Sequence, residues 1–230
     1  MKVAENLELI EKNIEEACRK SGRNRDEITI VAVTKQVSAE RAKEAMKSGL
    51  LHLGENRDEG LNEKWEVLGD EPIWHFIGSL QTRKVKNIIE KVDYIHSLDR
   101  SSLAKEIDKR AGKPINCFVQ VNTSGEESKH GLAPEETLDF IKQLDKFKNI
   151  NIIGLMTMAP NSTGEKVIRK CFSDLKGLQL KVKELDLEYA PCTELSMGMS
   201  NDYGIAIEEG ATYIRIGTSL VGAAENELEV

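Results

Sequence analysis

The chain has 230 residues, of which 40% are apolar and 31% charged, the balance of a globular protein large enough for one substantial domain. Its 39 acidic and 32 basic side chains leave a net charge of -7, which argues against whole-surface attraction to nucleic acid or anionic lipid and leaves room for a local basic pocket. No apolar stretch is long enough to span a membrane, the start MKVAENLELIEKNIEEA is acidic and periodic, and Cys18, Cys117, Cys171 and Cys192 form no CxxC pair, so we expect a reduced cytoplasmic protein with neither disulfide framework nor zinc site.

Residues 5–20 place Leu7, Ile10, Ile14, Ala17 and Cys18 at helical spacing, and Ser21-Gly22 ends that helix. ITIVAV (28–33) reads as a buried strand, Ser38 as the cap of a helix running to Lys47, and LLHLG (50–54) as a second strand. IWHFIG (73–78) is followed by a basic helix through Val85, Ile88 and Ile89, and VDYIHS (92–97) by a helix that Asp99 or Ser101 caps and that ends near Arg110. INCFVQV (115–121) is the strongest strand signal, and Pro134 opens the next helix. NIIGLMTM (151–158) precedes a long helix from about 164 to 184, YAPCTELS (189–196) is a weaker strand, residues 201–209 form a short helix closed by Gly210, and TYIRIG (212–217) is the eighth strand.

Eight strands alternating with helices imply parallel βα units with right-handed crossovers. An open doubly wound sheet and a closed (β/α)8 barrel both satisfy that pattern. The count of eight, the length, and the absence of an early glycine fingerprint favour a single α/β barrel over residues 1–230, its extra N-terminal helix packed on the exterior or the lower mouth.

In a barrel, chemistry sits where strands end and βα loops begin. Lys35 stands immediately after strand one, where burial of its stem favours a neutral, nucleophilic amine; a solvated charge ending a strand is the plainer alternative. GMSND (198–202) and GTS (217–219) follow strands seven and eight, and both read either as a phosphate cradle or as ordinary glycine turns, with Ser200 or Asn201 capping the helix between them. Arg215 lies between Ile214 and Ile216 in strand eight, so its side chain faces the opposite way and needs an acceptor. A lysine, a phosphate cradle and an arginine around one mouth point together to pyridoxal phosphate. The four histidines show no metal-ligand spacing, Ser196 and Ser200 lack a GxSxG elbow, Cys192 reads as a small buried hydrophobe, and the basic run RKVKNIIEK (83–91) lacks the aromatic interleaving of a nucleic-acid surface.

VAVTK (31–35), LGEN (53–56), HFIGSLQTRK (75–84), VNTSGEESKHG (121–131), GLMTMAP (154–160), LSMGMSND (195–202) and RIGTSLVG (215–222) occur in this order, and the chain from about residue 5 to 222 resembles the YggS/PROSC group of pyridoxal-phosphate homeostasis proteins, which look like the isolated barrel domain of alanine racemase. That resemblance implies that Lys35 forms the internal aldimine with pyridoxal 5'-phosphate, that Asn56 lies near the ring, that Arg215 faces the pyridine nitrogen, and that Ser200, Gly217 and Thr218 hold the phosphate. Met197 and Met199 would line the pocket, with His75 and Gln81 in support near the mouth. It implies cofactor homeostasis without robust turnover and contacts with amino acids or keto acids and with client enzymes that use the cofactor; charge and hydropathy lead us to expect no nucleic acid or membrane partner, and without the racemase's second domain we expect a monomer.

An arginine at the pyridine nitrogen weakens the ring as an electron sink, and a racemase needs a base on each face of Cα. Lys35 supplies one base; the racemase's tyrosine comes from a second domain for which we expect no room, and Tyr94, Tyr189, Tyr203 and Tyr213 do not match it. The alternatives are a racemase or related enzyme of narrow specificity, and a binding module for RNA or a protein in which the barrel is scaffold. The chain departs from the resemblance at Thr34, Gln36, Arg57, Arg83 and Val221-Gly222-Ala223, the last leaving a smaller and less cationic rim.

Overall fold

Eight parallel strands close into a barrel in chain order, β1 (Thr29–Val33), β2 (His52–Glu55), β3 (Ile73–Phe76), β4 (Tyr94–Leu98), β5 (Ile115–Gln120), β6 (Ile150–Met156), β7 (Glu194–Met199) and β8 (Tyr213–Ile216), with β8 pairing back onto β1. The structure is a computed structural model that describes residues 2–126, 129–160 and 164–222; Glu127 and Ser128 of the VNTSGEESKHG segment and Ala223 of the expected rim lie outside the described residues. The helices are α1 (Val3–Ser21), α2 (Ala39–Lys47), α3 (Asp58–Leu68), α4 (Ser101–Arg110), α5 (Thr137–Lys142), α6 (Glu165–Lys183), α7 (Tyr203–Glu208) and α8 (Thr218–Val221).

Strand alternation divides the packing in two. Leu53, Trp74, Ile95, Cys117, Leu155, Leu195, Met197, Ile214 and Ile216 belong to the continuous apolar core. Their neighbours in sequence turn into the barrel, where His52, His75, Tyr94, His96, Phe118 and Tyr213 form a tier of ring contacts. The helix α1 packs on the outside, burying Val3, Ile10, Ile14, Ala17 and Cys18. Its Asn6 donates to the Leu220 carbonyl of α8 and its Asn13 to the Tyr203 hydroxyl of α7.

Ser38 caps α2 by accepting from the Arg41 amide, as its sequence position predicts. Other elements differ. The α3 helix fills a stretch between β2 and β3 for which the sequence pattern gives no helix, because its apolar stripe is only Leu61, Trp65 and Leu68. The basic segment after β3 is a 3-10 helix over Thr82–Asn87 rather than an α-helix. The seventh strand begins at Glu194, beyond most of YAPCTELS, because Leu187 bridges Ala190 and Cys192 takes a positive φ of 46° before the strand starts. All four cysteines are buried thiols. Among the described residues no helix is long and apolar enough to cross a membrane, and no His/Cys/Asp/Glu cluster has the makings of a metal site.

Candidate functional site

A cavity of about 410 Å³ opens at the C-terminal ends of the strands, within the usual size of a small-molecule site. Lys35, Asn56, Met199, Ser200, Arg215, Gly217 and Thr218 line it together with Gln120 and Asp202.

Lys35 sits on a tight turn. The Thr34 amide donates to the Gly54 carbonyl at 3.0 Å and the Thr34 hydroxyl to Glu55 Oε1 at 2.6 Å, fixing the end of β1 against β2. Gln36 then adopts a left-handed φ of 70°, and the Val37 amide returns to the Thr34 carbonyl. A non-glycine residue in that region stores strain beside the lysine. Lys35 itself is exposed on the cavity rim, so the expected burial of its stem is not found, and its reach into the cavity rather than desolvation places the amine. Asn56 is held from the other side: a Cβ on Gly78 would lie 2.1 Å from the Asn56 carbonyl oxygen, so only glycine lets the end of β3 approach this closely.

Arg215 is buried at the cavity floor, with Nη1 donating to Ser196 Oγ at 2.6 Å and Nη2 to the Thr157 carbonyl at 3.0 Å. Burial pushes its pKa down to about 10, opposed by the Asp202 carboxylate, so the guanidinium stays cationic at neutral pH. Burial raises the Asp202 carboxyl, against the opposing pull of the Met199 amide and Arg215.

The loop after β7 is a local device. Asp202, not Ser200 or Asn201, is the residue before α7; it accepts from the Met199 amide at 2.6 Å and donates its own amide to the Met199 carbonyl. This closed turn leaves Ser200 on the cavity wall. A register shift between Ser196 and Met199, with Gly198 at φ 93°, rotates the strand end so that Met199 pairs with Arg215 and reaches the cavity. Met197 comes before that shift is complete and turns into the apolar core, so it does not line the cavity. His75 is also absent from the lining: it is fully buried deeper in the barrel, hydrogen-bonded to His52 and His96. Gln81 lines a neighbouring surface pocket with Arg57 and Lys84, and Lys84 is engaged by Asp58 and Glu59.

Gly217 precedes the short α8, whose Leu220 and Val221 amides donate to the Gly217 carbonyl, and Gly217 and Thr218 stand on the cavity wall. Gln120 and Asp202 escape the strand-end reading. The polar residue within INCFVQV is the available signal for Gln120, whose amide donates to the His130 carbonyl at 3.1 Å. Together the site offers an amine, a buried cation on the floor and small-residue loops at one side, a set suited to a flat anionic ligand carrying an electrophilic carbon.

Fold and site thus define a (β/α)8 barrel with a lysine- and arginine-lined ligand cavity at its C-terminal mouth. The chain matches the family described as alanine racemase, N-terminal domain, over residues 6–225, and it belongs to that family. It is 40% identical over 227 residues to the pyridoxal phosphate homeostasis protein of Aquifex aeolicus, covering 96% of this chain and 98% of that one. The crystal structure of an unknown protein from Bifidobacterium adolescentis superposes with a TM-score of 0.91 at 30% identity, covering 95% of this chain and 94% of that one. PipY of Synechococcus elongatus, solved with PLP bound, gives 0.81 at 30% identity, covering 96% of this chain and all of that one, 100%.

Proposed function

We propose that this chain binds pyridoxal 5'-phosphate in the mouth cavity and serves cofactor homeostasis, holding the cofactor on Lys35 without robust turnover of amino acids. The observation that carries the reading is the convergence of Lys35, Arg215 and the Ser200, Gly217 and Thr218 loops on one cavity. The relatives named above support it, since one is called a pyridoxal phosphate homeostasis protein and another was solved with PLP. When bound, the cofactor supplies an electrophilic aldehyde and an electron-withdrawing ring. Lys35 would supply the nucleophile for the aldehyde, Ser200 and the Gly217-Thr218 turn would hold the phosphate, and Asn56 would contact the ring. Arg215 would offer the ring nitrogen a donor rather than an acceptor, and its charge would keep a proton off that nitrogen.

That last feature favours retention over turnover. Among the described lining residues the titratable side chains are Lys35, Asp202 and Arg215, and Asp202 is already committed to the Met199 amide. The protein works as a monomer that exchanges cofactor with client enzymes and meets amino acids or keto acids at the same mouth. Borohydride reduction of protein mixed with pyridoxal 5'-phosphate should leave a permanent adduct on Lys35 by peptide mass spectrometry, absent from Lys35→Ala. No saturable absorbance change and no adduct would end the cofactor reading, and rapid exchange of an amino acid's Cα hydrogen with solvent would move the protein to the racemase class.

A further inference from the structure

The barrel interior below the cavity holds a continuous hydrogen-bonded line of side chains that cofactor binding alone leaves unexplained. His52 Nδ1 lies 2.9 Å from His75 Nε2, and His75 Nδ1 lies 2.9 Å from His96 Nε2. His96 Nδ1 lies 2.8 Å from Ser196 Oγ, which also receives Arg215 Nη1 at 2.6 Å. The line joins five strands, from the N-terminal end of β2, where His52 is half-buried, to Arg215 of β8 at the cavity floor. His75 stacks on Tyr94 with ring centroids 4.3 Å apart, and His96 packs on Phe118 at 4.4 Å, so both rings are held in place.

The direction of the line is set by its last member. A guanidinium has donors only, so Ser196 Oγ accepts from Arg215, and the serine's single proton is satisfied when it goes to the other partner the structure gives this oxygen, His96 Nδ1. His96 therefore carries its proton on Nε2 and donates to His75 Nδ1. His75 likewise donates from Nε2 to His52 Nδ1, which leaves His52 Nε2–H to point out of the lower mouth. Every buried polar atom of the line is satisfied in this arrangement, each imidazole being neutral with one proton.

We infer that His52, His75, His96 and Ser196 form a directional relay that positions Arg215, so that the proton occupancy of His52 at the lower end of the barrel sets the grip on the ligand at the upper end. The inference rests on the cofactor reading only for the identity of that ligand. A proton added at His52 Nδ1 meets the Nε2–H of His75 head on. The conflict is relieved when His75 and His96 each move their one proton from Nε2 to Nδ1, the added charge staying on His52. Ser196 Oγ must then accept from both His96 and Arg215, and its hydroxyl proton loses its acceptor. The groups around His52 are His75 on β3, Tyr94 on β4, Tyr213 on β8 and the Asp93 carboxylate just before β4. Asp93 favours the added proton, but it already accepts from the Trp74 amide and Lys113. His75 and His96 are the pieces of this relay that resist protonation, since both are buried in a line with no carboxylate partner.

Two measurements decide it. Nitrogen-15 spectra of the histidine rings in ligand-free protein at pH 7.5 should show His75 and His96 as single neutral tautomers with the proton on Nε2. A proton on Nδ1 of His96, a tautomer mixture or a charged ring would overturn the relay. In the second, the affinity for pyridoxal 5'-phosphate is followed from pH 7.5 to 5.5 in wild type, His52→Gln and His130→Gln. Glutamine at 52 retains an acceptor for His75 but does not titrate. Across this range we expect the ratio of wild-type to His52→Gln affinity to fall about tenfold, the size of one buried hydroxyl left without its acceptor beside Arg215. The ligand's own titration is common to all three proteins and cancels, and His130→Gln should follow wild type. Parallel profiles for wild type and His52→Gln would overturn the coupling. Failure of all three to bind would sink the cofactor reading, while the tautomers, read without ligand, still decide the relay.

Discussion

Arg215 is the residue on which floor, relay and ligand meet. Its guanidinium satisfies Ser196 Oγ and the Thr157 carbonyl while remaining at the cavity surface, a position only a fork of several donors can fill. Arg215→Gln keeps a short donor and loses the charge. The expected result is an affinity for pyridoxal 5'-phosphate weaker by at least about tenfold, from the loss of charge-assisted bonds, with the Lys35 adduct still formed on reduction. Equilibrium dialysis paired with peptide mapping separates the two effects; unchanged affinity would remove Arg215 from the ligand contact. A Lys35→Ala protein should do the reverse, losing the adduct while keeping the Arg215 pairings that stabilise the barrel.

Between elements, the clearest coupling is the buried ion pair that joins α3 to β2. Lys64 Nζ lies 3.1 Å from Glu55 Oε1, both side chains are buried, and the same carboxylate oxygen accepts the Thr34 hydroxyl one residue before Lys35. Gly60 faces the other oxygen so closely that a Cβ there would lie 2.9 Å from it. Lys64→Met leaves the carboxylate buried without its cation and should destabilise by about 3–5 kcal/mol in urea melts, with Glu55→Gln added to it recovering most of the loss. Additive losses in the double variant would show that the pair is not what ties the helix to the strand. This clamp also marks what the sequence makes legible. The β-branched runs of β1 and β5, the Ser38 cap and the strand-end positions of Lys35, Asn56 and Arg215 are local signals, and they locate the barrel and most of the cavity lining. The α3 helix is not legible because it is anchored by the Glu55–Lys64 pair as well as by a short apolar stripe. Met197 and Met199 look equivalent in sequence, two residues apart on one face, and only the register shift at Gly198 sends them to different places. His75 reads as a mouth residue because its strand is short; that it faces three other strands is a property of closure, which no single segment encodes.

For the molecule as a whole, a barrel interior built on neutral imidazoles ties stability to pH. Burial holds His75 and His96 well below the ordinary histidine value of 6.5, each also disfavoured by positive charge on its neighbours. Burial lowers His52 to a lesser extent, with Asp93 opposing. In the unfolded chain these rings take up protons near 6.5, whereas in the fold His75 and His96 do not. The unfolded state therefore binds more protons below that pH, and stability rises with pH through the acid range and levels off above 6.5. Each fully buried ring adds about 1.4 kcal/mol per pH unit on the acid side, so lowering the pH from 7.5 to 5.5 should remove ~3 kcal/mol from the two together. Carboxylates in ion pairs act in the same direction but lower down: Asp58, held down to about 2 by Lys84 and Asn87 against its own burial, keeps its charge throughout this window. Urea denaturation at pH 7.5, 6.5 and 5.5 measures the slope directly. A curve flat over that range would mean that His75 and His96 accept protons in the fold, which the relay forbids, so the same experiment bears on how the far end of the barrel communicates with Arg215.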